Sequence, residues 1–281
     1  MSEVITEQIE VQQQEAAEDK LDATPGGQIV YTEDELIAMR QVRTTLLEEH
    51  GIEESRVGSG AFLAVATINC KLRVEETATK IVKLLEIMEQ LGCDDGVSDD
   101  FITNAKHELH PYPTVGVDKR GCSTTWIRAG SPVQKEEERH HCQACIMQYL
   151  AVHADSKTLR EGVSFVLDLS GREDVMTAEK VGNEQLIQSF YQAIPQRPQV
   201  ILIAGTSYLL RTFVNASIYV ASVFVKAKIL ERISFTTVEE AVEMLPEGSA
   251  PVYVGGKGGG SEQSYEDYVK ERMAQLPTPD L

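Results

Sequence analysis

Short apolar runs in this sequence alternate with longer stretches in which apolar residues recur every three or four positions. The run 163–168 is too short for a globular helix and is rich in β-branched and aromatic residues, which is typical of an interior strand of a mostly parallel sheet. Other short runs have the same character. The pattern therefore predicts strands within the segments 122–130, 162–168, 199–205 and 232–237.

Helical spacing dominates the part of the chain that follows the first 30 residues. Residues 31–51 open with Thr32 three positions before Glu35, the spacing of a capping box, and Gly51 is a stop signal. Residues 74–92 carry one apolar stripe and also end at a glycine, which is typical of an amphipathic helix. The stripe consists of Ile81, Leu84, Leu85 and Met88.

Further helical segments separate the predicted strands. They cover residues 132–154, 178–194, 207–230 and 238–246. Strands that alternate with helices of this length are typical of βαβ units, in which helices flank a mostly parallel sheet. We therefore expect an α/β fold, preceded by a small all-helical subdomain at residues 31–110.

The charge balance narrows the classes of function. The chain has 281 residues, with 26 Lys and Arg against 44 Asp and Glu, so its formal net charge is −18. Nucleic-acid binding and standing electrostatic attachment to anionic membranes both need a basic surface, so the sequence predicts neither. Residues 1–30 are rich in Glu and Gln and bury too little to fold, so we expect a disordered acidic tail.

The cysteine spacing and the N-terminal sequence indicate the cellular compartment of the protein. Five cysteines at irregular spacing fit free thiols in a reducing environment better than a disulfide framework. The N-terminal segment has neither a basic region nor an apolar core, so no secretory signal is expected. The sequence thus predicts a cytoplasmic protein.

Two places suggest catalytic or metal chemistry without completing a known site. The string RHHCQACIMQYL offers His140, His141, Cys142 and Cys145, but the cysteines have helical spacing and no second ligand pair stands at zinc-site spacing. We interpret it as a helix that buries two thiols. Ser207 follows a predicted strand but lacks the Gly-x-Ser-x-Gly turn of a nucleophile. The sequence predicts no metal, no cofactor and no enzyme.

Several strings, taken in order, resemble the CRAL-TRIO family, which includes phosphatidylinositol-transfer, retinaldehyde-binding and tocopherol-transfer proteins. The strings are NCKLRVEETATKIVKLLE, GVSFVLDLSG, SFYQAIPQRPQVILIAGTSYLL and EEAVEMLPEGSAPVYVGGKGGG, and together they span about residues 60–256. The resemblance implies that sheet and helices enclose a hydrophobic pocket. It also implies a lipid-binding domain at residues 111–256, followed by a C-terminal extension at residues 257–281.

The resemblance implies which residues line this pocket. Alternation along a strand puts Val163, Phe165 and Leu167 on one face, and Ser164 and Val166 on the other. In the family the first set faces the lipid. The implied lipid-binding residues are Val163, Phe165, Leu167, Ile201, Ile203, Tyr208, Phe213, Val220 and Phe224. A pocket with such walls would exclude water from acyl or isoprenoid chains.

Two features of the sequence, an uncharged segment and an aspartate at a strand end, can each be interpreted in two ways. Residues 212–225 are almost free of charge, which requires burial on every side or contact with lipid. The segment is shorter than the roughly 20 residues that span a bilayer. By resemblance it is a mobile gate over a lipid cavity, and the alternative is an ordinary core helix.

Asp168 ends a predicted strand, and we interpret it as fixing the following turn, with a ligand role as the alternative.

The polar end of the implied pocket departs from the family's phospholipid carriers. Where those have Ser and Thr for the choline phosphate, this chain has Val163 and Phe165. The candidate headgroup residues are Lys71, Lys228 and Arg232. A single Lys does not replace the paired forks that hold an inositol phosphate. The expected ligand is therefore a small hydrophobic lipid, either a phospholipid or an isoprenoid-like molecule.

Two classes of function remain open from the sequence. The first is a protein that binds a hydrophobic lipid in an internal cavity and carries or presents it between membranes, touching the membrane surface transiently. The second is a protein-interaction scaffold with the same fold and no exchangeable lipid, for which the acidic tail would dock a protein partner.

Overall fold

The computed structural model describes residues 27–58, 60–103, 114–128, 137–171, 184–221, 230–245 and 265–281. The helices are α1 (Glu33–Glu48), α2 (Ala61–Asn69), α3 (Val74–Gln90), α4 (Asp99–Thr103), α5 (Glu138–Val152), α6 (Ser156–Glu161), α7 (Glu184–Ala193), α8 (Tyr208–Ala221), α9 (Val238–Glu243) and α10 (Tyr265–Ala274). The strands are β1 (Thr114–Val117), β2 (Ser123–Arg128), β3 (Val163–Asp168), β4 (Pro198–Ala204) and β5 (Ile233–Thr236). Nearly all of the predicted acidic tail lies outside the described residues.

The five strands form one sheet in the order β1-β2-β3-β4-β5. β1 pairs with β2 in the antiparallel direction, whereas β2, β3, β4 and β5 run parallel to one another. The strand predicted at residues 162–168 is β3, and it lies at the centre of the sheet. The predicted fold class, a mostly parallel sheet flanked by helices, is confirmed.

Local sequence signals set the ends of the N-terminal helices. The Thr32 hydroxyl accepts a hydrogen bond from the Glu35 backbone N–H at 3.2 Å, and the Glu35 carboxylate accepts one from the Thr32 N–H at 2.9 Å. This reciprocal pair is the predicted capping box. The predicted apolar stripe of α3 is buried, and Gly92 follows the helix with a φ of 75°, a conformation that favours glycine.

The N-terminal helices share one hydrophobic core with helices of the α/β part. Phe62 of α2 belongs to the same buried cluster as Phe190 of α7. Residues after α10 complete this core: Leu276 is part of the cluster, and the Tyr31 hydroxyl donates to the Pro277 carbonyl at 2.8 Å. The first helices are therefore packed between elements that lie far apart in the sequence.

Several elements were not predicted from the pattern. No strand was predicted at residues 114–117, but these residues pair with β2 as an edge strand. α2 is buried along nearly its whole length, so it has no amphipathic stripe for periodicity to reveal. The short α6 and the largely polar α10 likewise carry weak periodic signals.

Candidate functional site

Alternation along the central strands builds an apolar face of the sheet, which we call the odd face. The register places Phe165 beside Ile201 and Leu167 beside Ile203, and β5 continues both rows. The odd face consists of Phe165, Leu167, Ile201, Ile203, Ile233 and Phe235. It brings together four of the lipid-binding residues that the resemblance implies.

The side chains that β3 and β4 place on this side of the sheet differ in burial. Val163 and Ile203 are buried, but Phe165, Leu167 and Ile201 are only half-buried. The three half-buried side chains stand on β3 and β4, which are interior strands. A closed layer of helices would bury such positions fully. The described helices therefore do not cover the middle of the odd face completely.

Helix α8 covers one side of the odd face. Leu210 is buried against Ile203, and Val214 and Phe235 pack around the same cluster. The guanidinium of Arg211 lies 5.0 Å from the centre of the Phe235 ring, within the range of a cation–π contact. In the described part of the chain, no helix is both long and apolar enough to cross a membrane.

The first residues of α8 face away from the sheet. Tyr208 is 84% exposed and Leu209 is 68% exposed. Tyr208, which was expected to line the pocket, therefore points to solvent in this conformation. The hydroxyl of Ser207 accepts a hydrogen bond from the Leu210 N–H at 3.4 Å, so Ser207 caps α8.

Most of the other residues implied by the resemblance fall outside what the structure describes. Phe224 and Lys228 are outside the described residues, as are the side chains of Phe213 and Val220 within α8. Lys71 is exposed in the turn between α2 and α3, where its φ is 58°.

Arg232 lies at the amino-terminal end of β5. Its Nη1 donates to the Pro198 carbonyl, and its own carbonyl accepts from the Ile201 N–H at 2.9 Å. Arg232 stands near a second guanidinium, that of Arg197, whose pKa is lowered by burial and by the Arg232 charge. Arg232 thus helps to hold the start of β4 while it contributes positive charge there.

A cavity of about 320 Å³ lies on the opposite face of the sheet, between the strands and α9. We call this face, formed by Thr124, Trp126, Ser164, Val166, Val200, Leu202 and Ala204, the even face. The apolar walls of the cavity are Val166, Val200, Leu202, Ala241 and Leu245, with Met244 at its rim. Its polar end consists of Asp118, Lys119, Arg120, Thr124 and Ser164. Of the residues expected to bind lipid, Phe165 contributes to this lining.

Asp118 organises the polar end of the even-face cavity. Its Oδ2 accepts from Arg120 Nη2 at 2.7 Å and from the Ser164 hydroxyl at 2.9 Å, while its Oδ1 accepts from the Cys122 N–H at 3.1 Å. Burial would raise the pKa of Asp118, but the Arg120, Cys122 and Ser164 hydrogen bonds hold it below its ordinary value. The sequence pattern did not reveal this group. The only signal in the sequence is the string DKRG, which follows β1.

Asp168 closes β3 in the way that the sequence suggested. It is 1% exposed, and its Oδ1 accepts from the Ser170 N–H at 3.0 Å and from the Ser170 hydroxyl at 2.6 Å. Trp126 Nε1 donates to the other carboxylate oxygen at 3.4 Å. The interpretation of Asp168 as fixing the turn after the strand is confirmed.

The predicted helix face with two thiols is also present. Cys142 and Cys145 of α5 are buried, and burial raises the pKa of the Cys145 thiol. His141 contacts the Tyr191 hydroxyl through Nε2. The described residues contain no group of three side chains arranged to hold a metal ion.

No protein-family model matches the chain, and no curated protein matches it. Among solved structures, the chain is similar to the crystal structure of Sfh5, with 11% sequence identity and a TM-score of 0.47. The match covers 90% of this chain and 95% of that chain. A likeness at this level of identity and superposition says nothing about what the chain binds.

Proposed function

We propose that the protein binds a hydrophobic lipid against the odd face of the sheet and carries or presents it between membranes. One observation supports the proposal above all others. Phe165, Leu167 and Ile201 are half-buried on the interior strands β3 and β4. Apolar side chains at the middle of a sheet are stabilised by a partner that excludes water, and a lipid chain in the space beneath the helices would be such a partner.

The surroundings of this space suit an apolar chain. The odd face presents branched aliphatic and aromatic side chains in two adjacent rows, and α8 adds Leu210 and Val214 beside them. Burial of apolar surface contributes roughly 25 cal/mol per Å², so contact with such a face would supply most of the affinity. For a lipid headgroup, Arg232 and Lys71 are the candidates among the described residues, with Lys228 outside them.

The exposed start of α8 supports a transient encounter with a membrane. Tyr208 and Leu209 present an aromatic ring and an aliphatic side chain to solvent. Tyrosine rings favour the boundary between water and acyl chains, and exposed leucine gains free energy there. Because the chain carries a net charge of −18, apolar insertion suits this contact better than attraction to anionic lipid does.

Replacing Ile201 by Asp tests the lipid site. A carboxylate on the odd face would be desolvated by a bound acyl chain, so we expect lipid retention to fall by roughly tenfold or more. Protein purified under native conditions is extracted with organic solvent, and the lipid per protein is measured by mass spectrometry. Ser234→Asp is the matched control, since Ser234 pairs with Leu202 on the even face of the same sheet and is exposed.

The outcomes separate lipid binding from the scaffold alternative. Retention of the same lipid by a folded Ile201→Asp protein would place the lipid elsewhere. If the unmodified protein neither co-purifies with lipid nor takes any up from vesicles, the proposal is overturned and the scaffold function is favoured.

The double variant Tyr208→Ser, Leu209→Ser tests the membrane contact. Removing both apolar side chains should slow lipid transfer between phosphatidylcholine vesicles by roughly tenfold, while lipid already bound is retained. The measurement follows a fluorescent lipid from donor to acceptor vesicles. Leu47→Ser removes a similarly exposed side chain from α1 and should leave the rate unchanged. Equal rates for the double variant and the unmodified protein would contradict a role of α8 in docking.

A further inference from the structure

The even-face cavity has a polar end whose acceptors are already satisfied. The Asp118 carboxylate accepts from the Arg120 backbone N–H at 2.9 Å and from Arg120 Nε at 3.0 Å, besides the contacts described above. The Ser164 hydroxyl donates to Asp118 and accepts from Arg120 Nη2 at 2.7 Å. Asp118 and Ser164 therefore form a closed unit with one edge of the Arg120 guanidinium.

Donors at the same end of the cavity are left without partners. The Thr124 hydroxyl lies in a side chain that is 1% exposed, and it makes no hydrogen bond. Among the described residues, nothing pairs with the Lys119 ammonium or with Nη1 of Arg120. Burying a hydroxyl without a hydrogen-bond partner costs stability. A ligand that accepts hydrogen bonds would remove this cost.

The charge at this end is positive, although the protein as a whole is acidic. Among the described residues that line this end, Lys119 and Arg120 contribute two positive charges and Asp118 one negative charge, so the lining itself has a net charge of +1. That balance matches a monoanion. The Arg120 fork is largely occupied by Asp118, so a phosphate would lack the paired donors that it favours.

The remainder of the cavity is apolar. Val166, Val200 and Leu202 form its floor, and Leu245 of the segment after α9 forms part of its roof. Met244 stands at the rim and is 49% exposed. A volume of about 320 Å³ lies at the small end of the roughly 300–1,000 Å³ that is typical of ligand pockets.

We propose that the even-face cavity binds a small amphiphilic carboxylate, such as a medium-chain fatty acid. The carboxylate accepts hydrogen bonds from the Thr124 hydroxyl and Arg120 Nη1, with the Lys119 ammonium near it. The alkyl chain lies along Val166, Val200 and Leu202 beneath α9. This site is on the other side of the sheet from the lipid site proposed above, and it does not depend on that function.

Titration calorimetry with decanoate tests the site, with decanol and decylammonium as neutral and cationic controls of equal chain length. Decanoate should bind, and both controls should bind at least roughly tenfold more weakly because they leave the positive charge unbalanced. Affinity for decanoate should fall as salt concentration rises. Decanol binding as tightly as decanoate would overturn the assignment of the polar end.

Thr124→Val distinguishes a binding residue from a structural one. Valine fills the same volume and removes an unpaired hydroxyl, so the ligand-free variant should melt at or above the temperature of the unmodified protein. Its affinity for decanoate should nevertheless fall by roughly five- to tenfold. Thr79→Val, at an exposed position of α3, is the matched control. A Thr124→Val protein with unchanged affinity would overturn the proposal.

The failure of this proposal can be told apart from failure of lipid binding on the odd face. Ile201→Asp alters the odd face, so it should leave decanoate affinity within about twofold of the unmodified value. Lys119→Gln removes one charge at the even-face cavity and should weaken decanoate binding by roughly threefold, with no loss of co-purified lipid. If Ile201→Asp abolishes decanoate binding while Thr124→Val does not, decanoate occupies the odd face and the even-face site is overturned.

Discussion

Gly162→Ala is expected to lower the free energy of unfolding by at least about 3 kcal/mol. Gly162 joins α6 to β3 with φ of 102° and ψ of 176°, a backbone region that is essentially restricted to glycine. A Cβ atom there would lie 2.1 Å from the Arg197 carbonyl oxygen. That oxygen accepts from the Val163 N–H at 3.1 Å, so relief of the clash would break the first contact between β3 and β4.

Urea unfolding followed by far-ultraviolet circular dichroism measures this change. Gly51→Ala is the matched control, because Gly51 has a φ of 64° but a Cβ atom added there would meet no other atom within 4 Å. The control should cost about 1 kcal/mol from the backbone conformation alone. Equal losses for the two variants would show that the approach of Arg197 to Gly162 does not constrain the sheet.

Acidification from pH 6.5 to pH 4 is expected to remove several kcal/mol of stability through two buried histidines. Burial lowers the pKa of both His153 and His141 to about 4. His153 Nδ1 donates to the Tyr149 carbonyl at 2.6 Å, and Nε2 accepts from Asn69 at 3.1 Å, which suits the neutral ring. The unfolded chain takes up protons near pH 6.5 and the folded chain does not.

The direction and size of the change in unfolding free energy follow from this difference in proton binding. Between pH 6.5 and pH 4 the unfolded state binds more protons, so stability falls as pH falls, by about 1.4 kcal/mol per pH unit for each histidine. The contribution of the two neutral histidines to stability is fully present above pH 6.5. Over the whole window each buried histidine accounts for about 3 kcal/mol.

Unfolding free energies measured at several pH values in this window test the expectation. His153→Gln should reduce the slope by about 1.4 kcal/mol per pH unit, because the side chain no longer titrates. His50→Gln, at an exposed position, is the matched control. An unchanged slope in His153→Gln would show that His153 is already protonated in the folded protein or is hydrated there.

The sequence predicted most of the helices and strands because they depend on local signals. The capping box at Thr32 and the apolar stripe of α3 act within one or two turns of helix, so both could be recognised without tertiary information. The apolar runs that became β3 and β4 were equally clear. β1 was missed since a short edge strand rich in Pro and Gly neighbours carries the same local signal as a turn.

The candidate sites depend on pairing that local signals do not specify. Alternation correctly placed Phe165 and Leu167 on one face of β3, but their partial burial depends on how far the helical layer extends over the sheet. The even-face cavity was invisible in the sequence for the same reason. Its parts, Asp118, Thr124 and Met244, come from three elements that only the register of the sheet and the position of α9 bring together.

The shared core of the first helices has a consequence for how the protein is made. Translation releases α1, α2 and α3 before Phe190 and Leu276, which complete their buried cluster. Until then α1, α2 and α3 can pack only on one another, so the side of their cluster that Phe190 and Leu276 cover stays exposed as apolar surface of the kind that chaperones recognise. We therefore expect the N-terminal helices to gain resistance to protease only after the last part of the cluster has left the ribosome.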